Sequence, residues 1–157
     1  MSSLRFIPLD SSLVQAWRGG AADANGQQPE TMVSDGGGNP CRHCLDDIAE
    51  GRPMLVLAHR PFPAPQPYAE LGPIFVHAED CPRYREAAGV PALFRRREAI
   101  MMRGYGADDR IVYGTGKVIP TEDIESMAAW LFQRPEVAYI HLRSASNNCY
   151  QCRIERG

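Results

Sequence analysis

The spacing of apolar positions changes period several times along the chain, and each change predicts an element. Residues 4–8 read as a short opening strand. Asp10-Ser11-Ser12 then offers N-cap chemistry to a short helix with Leu13, Val14 and Trp17 on one side. Residues 19–40 lose the apolar period and are rich in Gly, Asn, Gln, Asp and Ala, which predicts a long, mobile polar loop. Met54-Leu55-Val56-Leu57-Ala58 is a continuous apolar run, the pattern of a central buried strand. Four prolines between Pro61 and Pro67 remove alternate N–H donors, so this stretch predicts an extended surface segment instead of a sheet interior.

Gly72 to His77 predicts the next strand. Pro82–Ala88 and Pro91–Glu98 read as short helical pieces, each with proline near its start. Ala99–Tyr105 and Arg110–Ile119 predict two strands joined by Gly106-Ala107-Asp108-Asp109. Ile124, Met127, Ala128, Leu131 and Phe132 recur at helical spacing, with Thr121 as the expected cap, and predict the clearest helix at about 121–134. Val137–Arg143 and Cys149–Glu155 predict a final antiparallel pair. The sum is a single α+β domain over 1–157, with six or seven strands in mostly antiparallel sheet, packed by one clear helix.

Composition narrows the class. A chain of 157 residues with 44% hydrophobic residues buries enough surface for one ordinary core, which excludes disorder and a large multidomain enzyme. A long apolar run is missing, so no membrane span is expected, and the N-terminus lacks the basic and apolar regions of a secretory signal. The expected compartment is the cytoplasm, where thiols stay reduced. Net charge is −2. Residues 1–50 carry three Arg against seven Asp and Glu, whereas residues 83–110 carry seven Arg against four. These fields are too weak for a dedicated nucleic-acid domain.

Chemistry enters through five cysteines, an odd number that cannot all pair internally. Two Cys-x-x-Cys motifs are present, Cys41-Arg42-His43-Cys44 and Cys149-Tyr150-Gln151-Cys152. Four thiolates from two such pairs form a usual donor set for structural zinc, so Cys41, Cys44, Cys149 and Cys152 are the candidate ligands and zinc the implied cofactor. Strand alternation works against half of this set: cysteines three apart in a regular strand point to opposite faces. With a hairpin centred near Ser146, Cys152 shares a face with Ile140, Leu142 and Ile154 and belongs to the core, unless a bulge beside Asn148 intervenes. Cys81 follows His77 by four residues, and His-x-x-x-Cys supplies either two metal ligands or a Cys–His nucleophile pair. The candidates for reactive thiol chemistry are Cys41 and Cys149, with His77 and His141 as bases.

Weaker signals remain. Arg95, Arg96, Arg97 and Arg103 are candidates for binding an anionic small molecule, against the simpler reading of a solvated face. Gly114-Thr115-Gly116-Lys117 lacks the spacing of a phosphate loop. The segments Gly72–His77, Val137–His141 and Cys149–Arg156, with Pro40-Cys41-Arg42 and Pro61–Tyr68, resemble a bacterial family catalogued as domain of unknown function 1203. The resemblance covers nearly the whole chain and implies a compact bacterial protein, with no catalytic residue attached. The leading function is therefore a binding or regulatory domain with a structural zinc or thiol cluster. The alternatives are a small cysteine-dependent enzyme performing thiol–disulfide or acyl chemistry, and an anionic small-molecule binding domain.

Overall fold

The computed structural model describes residues 3–157. Eight strands form two antiparallel sheets. In chain order the elements are β1 (Leu4–Ile7), α1 (Ser11–Arg18), β2 (Glu30–Val33), β3 (Pro53–His59), β4 (Gly72–His77), α2 (Ala92–Arg95), β5 (Ala99–Tyr105), β6 (Lys117–Pro120), α3 (Ile124–Leu131), β7 (Tyr139–Ser144) and β8 (Tyr150–Arg156). The larger sheet runs β1-β8-β7-β5-β6 and the smaller β2-β3-β4. This is the expected α+β class with mostly antiparallel sheet.

One face of the larger sheet meets α2 and α3. Ile100, Met102, Ile140, Leu142, Cys152 and Ile154 alternate inward and pack with Leu93, Phe94, Ile124 and Leu131. The buried side of α3 is Ile124, Ala128 and Leu131, the expected stripe. A second core lies on the smaller sheet, where Leu55, Leu57, Ile74 and Val76 pack with Val14 and Trp17 of α1. The continuous apolar run is indeed the central strand β3, covered on both sides by its neighbours.

Four local expectations change for identifiable reasons. Within residues 19–40 the Thr31-Met32-Val33 run forms the edge strand β2 against β3, as β-branched residues favour. Pro82–Ala88 is not helical, because its backbone is engaged elsewhere: Tyr84 N–H donates to His43 O at 3.0 Å and Glu86 O accepts from Phe6 N–H at 3.0 Å. The partner of β5 starts only at Lys117, since the Thr115 hydroxyl takes the Gly104 N–H at 2.9 Å and gives its proton to Val112 O at 2.5 Å. That side chain takes the place of a backbone partner for Gly104 in residues 112–116. Thr121 does not cap α3. Its hydroxyl donates to Arg97 O at 2.6 Å, and a 3-10 turn over Thr121–Asp123 precedes the helix.

Candidate metal centre

Cys41 and Cys44 sit on a tight hairpin that begins with Pro40 bridged to Asp47. Cys41 N–H donates to Asp46 O at 2.9 Å, and Leu45 N–H returns to Cys41 O at 3.0 Å. Leu45 adopts φ 52°, the left-handed conformation that lets the chain turn back so soon. Both sulfurs thereby face the same side. The hairpin docks alongside β4: Cys41 pairs in parallel with Phe75, and Arg42 N–H donates to Phe75 O at 3.1 Å. Arg42 is buried and its guanidinium donates to Tyr150 O at 2.8 Å and Pro40 O at 2.7 Å, fastening the hairpin to β8. Burial pushes Arg42 down to about 10, which still leaves it charged at neutral pH.

This docking puts Cys41 beside the end of β4, where His77 sits. The bend after His77 then folds Cys81 back onto the same point. One donor atom from each of Cys41, Cys44, His77 and Cys81 lies within 4.8 Å of every other. The Cys41 and Cys81 sulfurs are 3.9 Å apart, and His77 Nδ1 is 3.5 Å from Cys44 Sγ. His77 N–H also points at Cys41 Sγ, at 3.3 Å. Cys41 is fully buried and the other three are partly buried. All five cysteines of the chain are free thiols.

The surroundings favour negative charge on sulfur. Hydrogen bonds from Cys44, Cys81 and His77 converge on Cys41 Sγ and hold its thiol far below the ordinary range. Cys44 is driven the other way, because its thiol donates towards Cys41 and Cys81 and is desolvated by burial. Hydrogen bonding to Cys41 and Cys81 pushes His77 up to about 9. Two further groups buttress the cluster. Arg18 of α1 donates from Nη2 to Cys81 Sγ at 3.3 Å and from Nε to His77 O at 3.0 Å. His43 Nδ1 is 3.1 Å from Cys81 Sγ, while its Nε2 meets the Ser11 hydroxyl at 2.8 Å. Burial holds His43 below its ordinary value, which favours the neutral ring, and that ring bridges Cys81 Sγ and the Ser11 hydroxyl with one nitrogen donating and the other accepting.

The two Cys-x-x-Cys motifs do not meet. Cys152 is 1% exposed in the core of the larger sheet, paired across from Leu142, and burial raises its thiol. The hairpin does carry a bulge, between Leu142 and Arg143, and Asn148 has φ 56°. Neither turns Cys152 out of the core. Cys149 lies at the turn before β8, with its sulfur 3.8 Å from Asn147 O. His141 is wholly buried among Phe62, Tyr105, Tyr139 and Tyr150 rings, 4.6–5.2 Å between centroids. The four arginines meet carboxylates of the chain itself. Arg95 reaches Glu125 at 3.4 Å, Arg96 pairs with Asp46 and Asp47, Arg97 grips Asp47 through both nitrogens, and Arg103 meets Glu70 at 2.7 Å. Arg96 and Arg97 thereby hold the foot of the cysteine hairpin.

Spacing alone marks Cys41, Cys44, His77 and Cys81 but divides them between two hypotheses. It misses Arg18 and Ser11, which come from α1, where no spacing signal links them to a cysteine. His43 carries a signal: it is the imidazole inside Cys-Arg-His-Cys.

A Cys/His cluster able to hold a metal, on an α+β frame of two antiparallel sheets, defines the class. The chain belongs to the DUF1203 family, described as proteins of unknown function, whose profile matches residues 38–156. That span contains the whole four-residue cluster but not the buttressing Arg18 and Ser11. No curated protein and no solved structure matches the chain. Among the described residues no helix is long and apolar enough to cross a membrane.

Proposed function

We propose that the chain is a binding or regulatory domain of a reducing, cytoplasmic environment, pinned by one structural Zn²⁺ on Cys41, Cys44, His77 and Cys81. The observation that carries this reading is the mutual spacing of the four donors. A tetrahedral ion with Zn–S about 2.3 Å and Zn–N about 2.05 Å has S···S edges of about 3.8 Å and S···N edges of about 3.6 Å. Two of the cluster's six edges measure 3.9 Å and 3.5 Å, and all six lie within 4.8 Å. Four protein donors leave no open position, which suits a structural site better than a catalytic one.

The charge balance supports the same reading. Three thiolates and a neutral imidazole on Zn²⁺ leave one negative charge, and Arg18 supplies a buried guanidinium directly against Cys81. Location supports it too. The four ligands join the hairpin, the end of β4 and the bend beyond it, and so tie the hairpin and the bend to a strand already laddered to β3.

Metal analysis tests it. Protein purified without chelator should carry one equivalent of zinc. Cys81→Ser and His77→Ala should each fall well below that. Cys149→Ser and Cys152→Ala should keep the full equivalent. Zinc loss in the last two variants would restore the two-motif ligand set and overturn the assignment. Less than about a tenth of an equivalent in the unmodified protein, with all five thiols free to titrate, would overturn the metal reading itself.

A further inference from the structure

The three sulfurs of the cluster differ in exposure and in what surrounds them. Cys41 is fully buried, while Cys81 is partly exposed on the bend after β4. We propose that these two form a peroxide-reactive pair: a hydroperoxide oxidises Cys81 first, and Cys81 then closes a disulfide onto Cys41 and expels the ion. Expulsion of the ion rests on the zinc reading, whereas the reactive pair rests on the sulfur geometry alone.

Reactive cysteines combine partial exposure, a positive neighbour and a second thiol within reach. Cys81 has all three. Arg18 Nη2 donates to its sulfur at 3.3 Å, from a side chain only 8% exposed. His43 Nδ1 stands 3.1 Å from the same sulfur, and Cys41 Sγ 3.9 Å from it. Ligation to zinc keeps a cysteine as the thiolate, which is its nucleophilic form. Positive charge beside the sulfur also favours the hydroxide that departs during oxidation.

The other cysteines lack part of this set. Cys41 is sealed from solvent and can act only second. Cys44 is partly exposed, but it is held within the tight hairpin by the Leu45 N–H to Cys41 O bond, and its nearest ring is His77 at 3.5 Å. Cys149 stands outside the cluster, with Asn147 O as the contact of its sulfur. Cys152 is 1% exposed in the other core.

The chemistry balances. The Cys81 thiolate attacks one oxygen of hydrogen peroxide; an S–O bond forms as the O–O bond breaks, and hydroxide leaves and takes a proton from solvent. Sulfur has given up two electrons and is now a sulfenic acid. The Cys41 thiolate attacks that sulfur; the S–S bond forms as the S–O bond breaks, and a second hydroxide leaves to become water. The sulfurs must close from 3.9 Å to about 2.05 Å. The bend can supply that movement, because residues 78–81 belong to no strand or helix and Glu79 and Asp80 are exposed. The ion then keeps only Cys44 and His77 of its four donors. In a reducing compartment such a disulfide is transient, and a dithiol undoes it.

Hydrogen peroxide added to the full, zinc-loaded chain tests this. A chromogenic chelator reads zinc release, dimedone traps sulfenic acid, and peptide mapping without reduction reads disulfides. One equivalent of peroxide should consume two of the five thiols, yield the Cys41–Cys81 disulfide and release the zinc, and a dithiol should restore the thiols. Cys149→Ser should behave as the unmodified chain. In Cys41→Ser, dimedone should label Cys81, whose sulfenic acid has lost its resolving partner. If that variant does not fold, the mapped disulfide of the unmodified chain decides. A Cys41–Cys44 disulfide, oxidation confined to Cys149, or a disulfide formed with the zinc retained would overturn the proposal. Zinc and cluster thiols untouched under excess peroxide would overturn it too, and leave the metal reading standing. A chain that carries no zinc yet forms the Cys41–Cys81 disulfide would overturn the metal reading and support the pair.

Discussion

At the scale of single residues, the metal account rests on groups with separable roles. In the proposed centre Cys81 is a ligand that also accepts from Arg18 and contacts His43, so its loss would remove both a bond to the metal and a partner of those two side chains. Arg18 touches no metal in this account. Arg18→Met should leave one equivalent of zinc bound but weaken affinity by about 10- to 100-fold, the usual cost of losing an outer partner of a ligand. Competition with a chelator of known affinity reads that change, and an affinity equal to the unmodified protein's would remove Arg18 from the account. Cys152 answers to a different rule. It fills the core opposite Leu142, so Cys152→Ser places a hydroxyl in an apolar site and should destabilise the fold by about 1–3 kcal/mol. Urea denaturation checks the figure, with zinc content unchanged as its companion result.

At the scale of elements, what can be read from the sequence divides cleanly by range of interaction. The apolar stripe of α3 and the apolar run of β3 announce themselves, because helix and strand periods are local properties of the chain. Alternation along β8 points Cys152 inward, and the register with Leu142 agrees. Long-range partners are not legible. Nothing in Pro82–Ala88 signals that Tyr84 will donate to His43 O or that Glu86 O will accept from Phe6, and those bonds hold the segment extended. The metal cluster shows the same division. Its two halves, Cys41-x-x-Cys44 and His77-x-x-x-Cys81, are visible as spacings. Their meeting depends on the hairpin lying along β4 through the Cys41–Phe75 pairing, which no spacing records.

The two cores give an element-level prediction. Leu131 belongs to the core of the larger sheet and the ligands to that of the smaller, where Cys41 is itself a core residue. Leu131→Ala should cost about 2–5 kcal/mol through the cavity it leaves. Zinc affinity of the folded variant should not change. A matched loss of zinc affinity would mean that the two cores are coupled more tightly than their separate packing implies.

For the whole molecule, pH and metal act on stability through different residues. His59 is held down to about 4 by burial first and by Arg42 second, against an ordinary 6.5, and His141 is held well below 6.5 by its burial. A histidine whose folded value is depressed takes up its proton first in the unfolded chain. Its contribution to stability is therefore present above 6.5 and is lost as pH falls towards the folded value. The urea midpoint should hold steady from pH 8 to about 7 and fall between about 6.5 and 4. His59→Gln should flatten part of that fall, which separates it from the loss of metal that acid also causes by protonating the ligands. An identical slope in the variant would contradict the assignment to His59.

The central claim concerns which four atoms surround one ion, and X-ray absorption at the zinc edge of the purified, unmodified protein addresses it most directly. The account predicts three sulfurs at about 2.3 Å and one nitrogen at about 2.0 Å, from Cys41, Cys44, Cys81 and His77. A four-sulfur shell, a shell of oxygen and nitrogen alone, or the absence of bound zinc would contradict it.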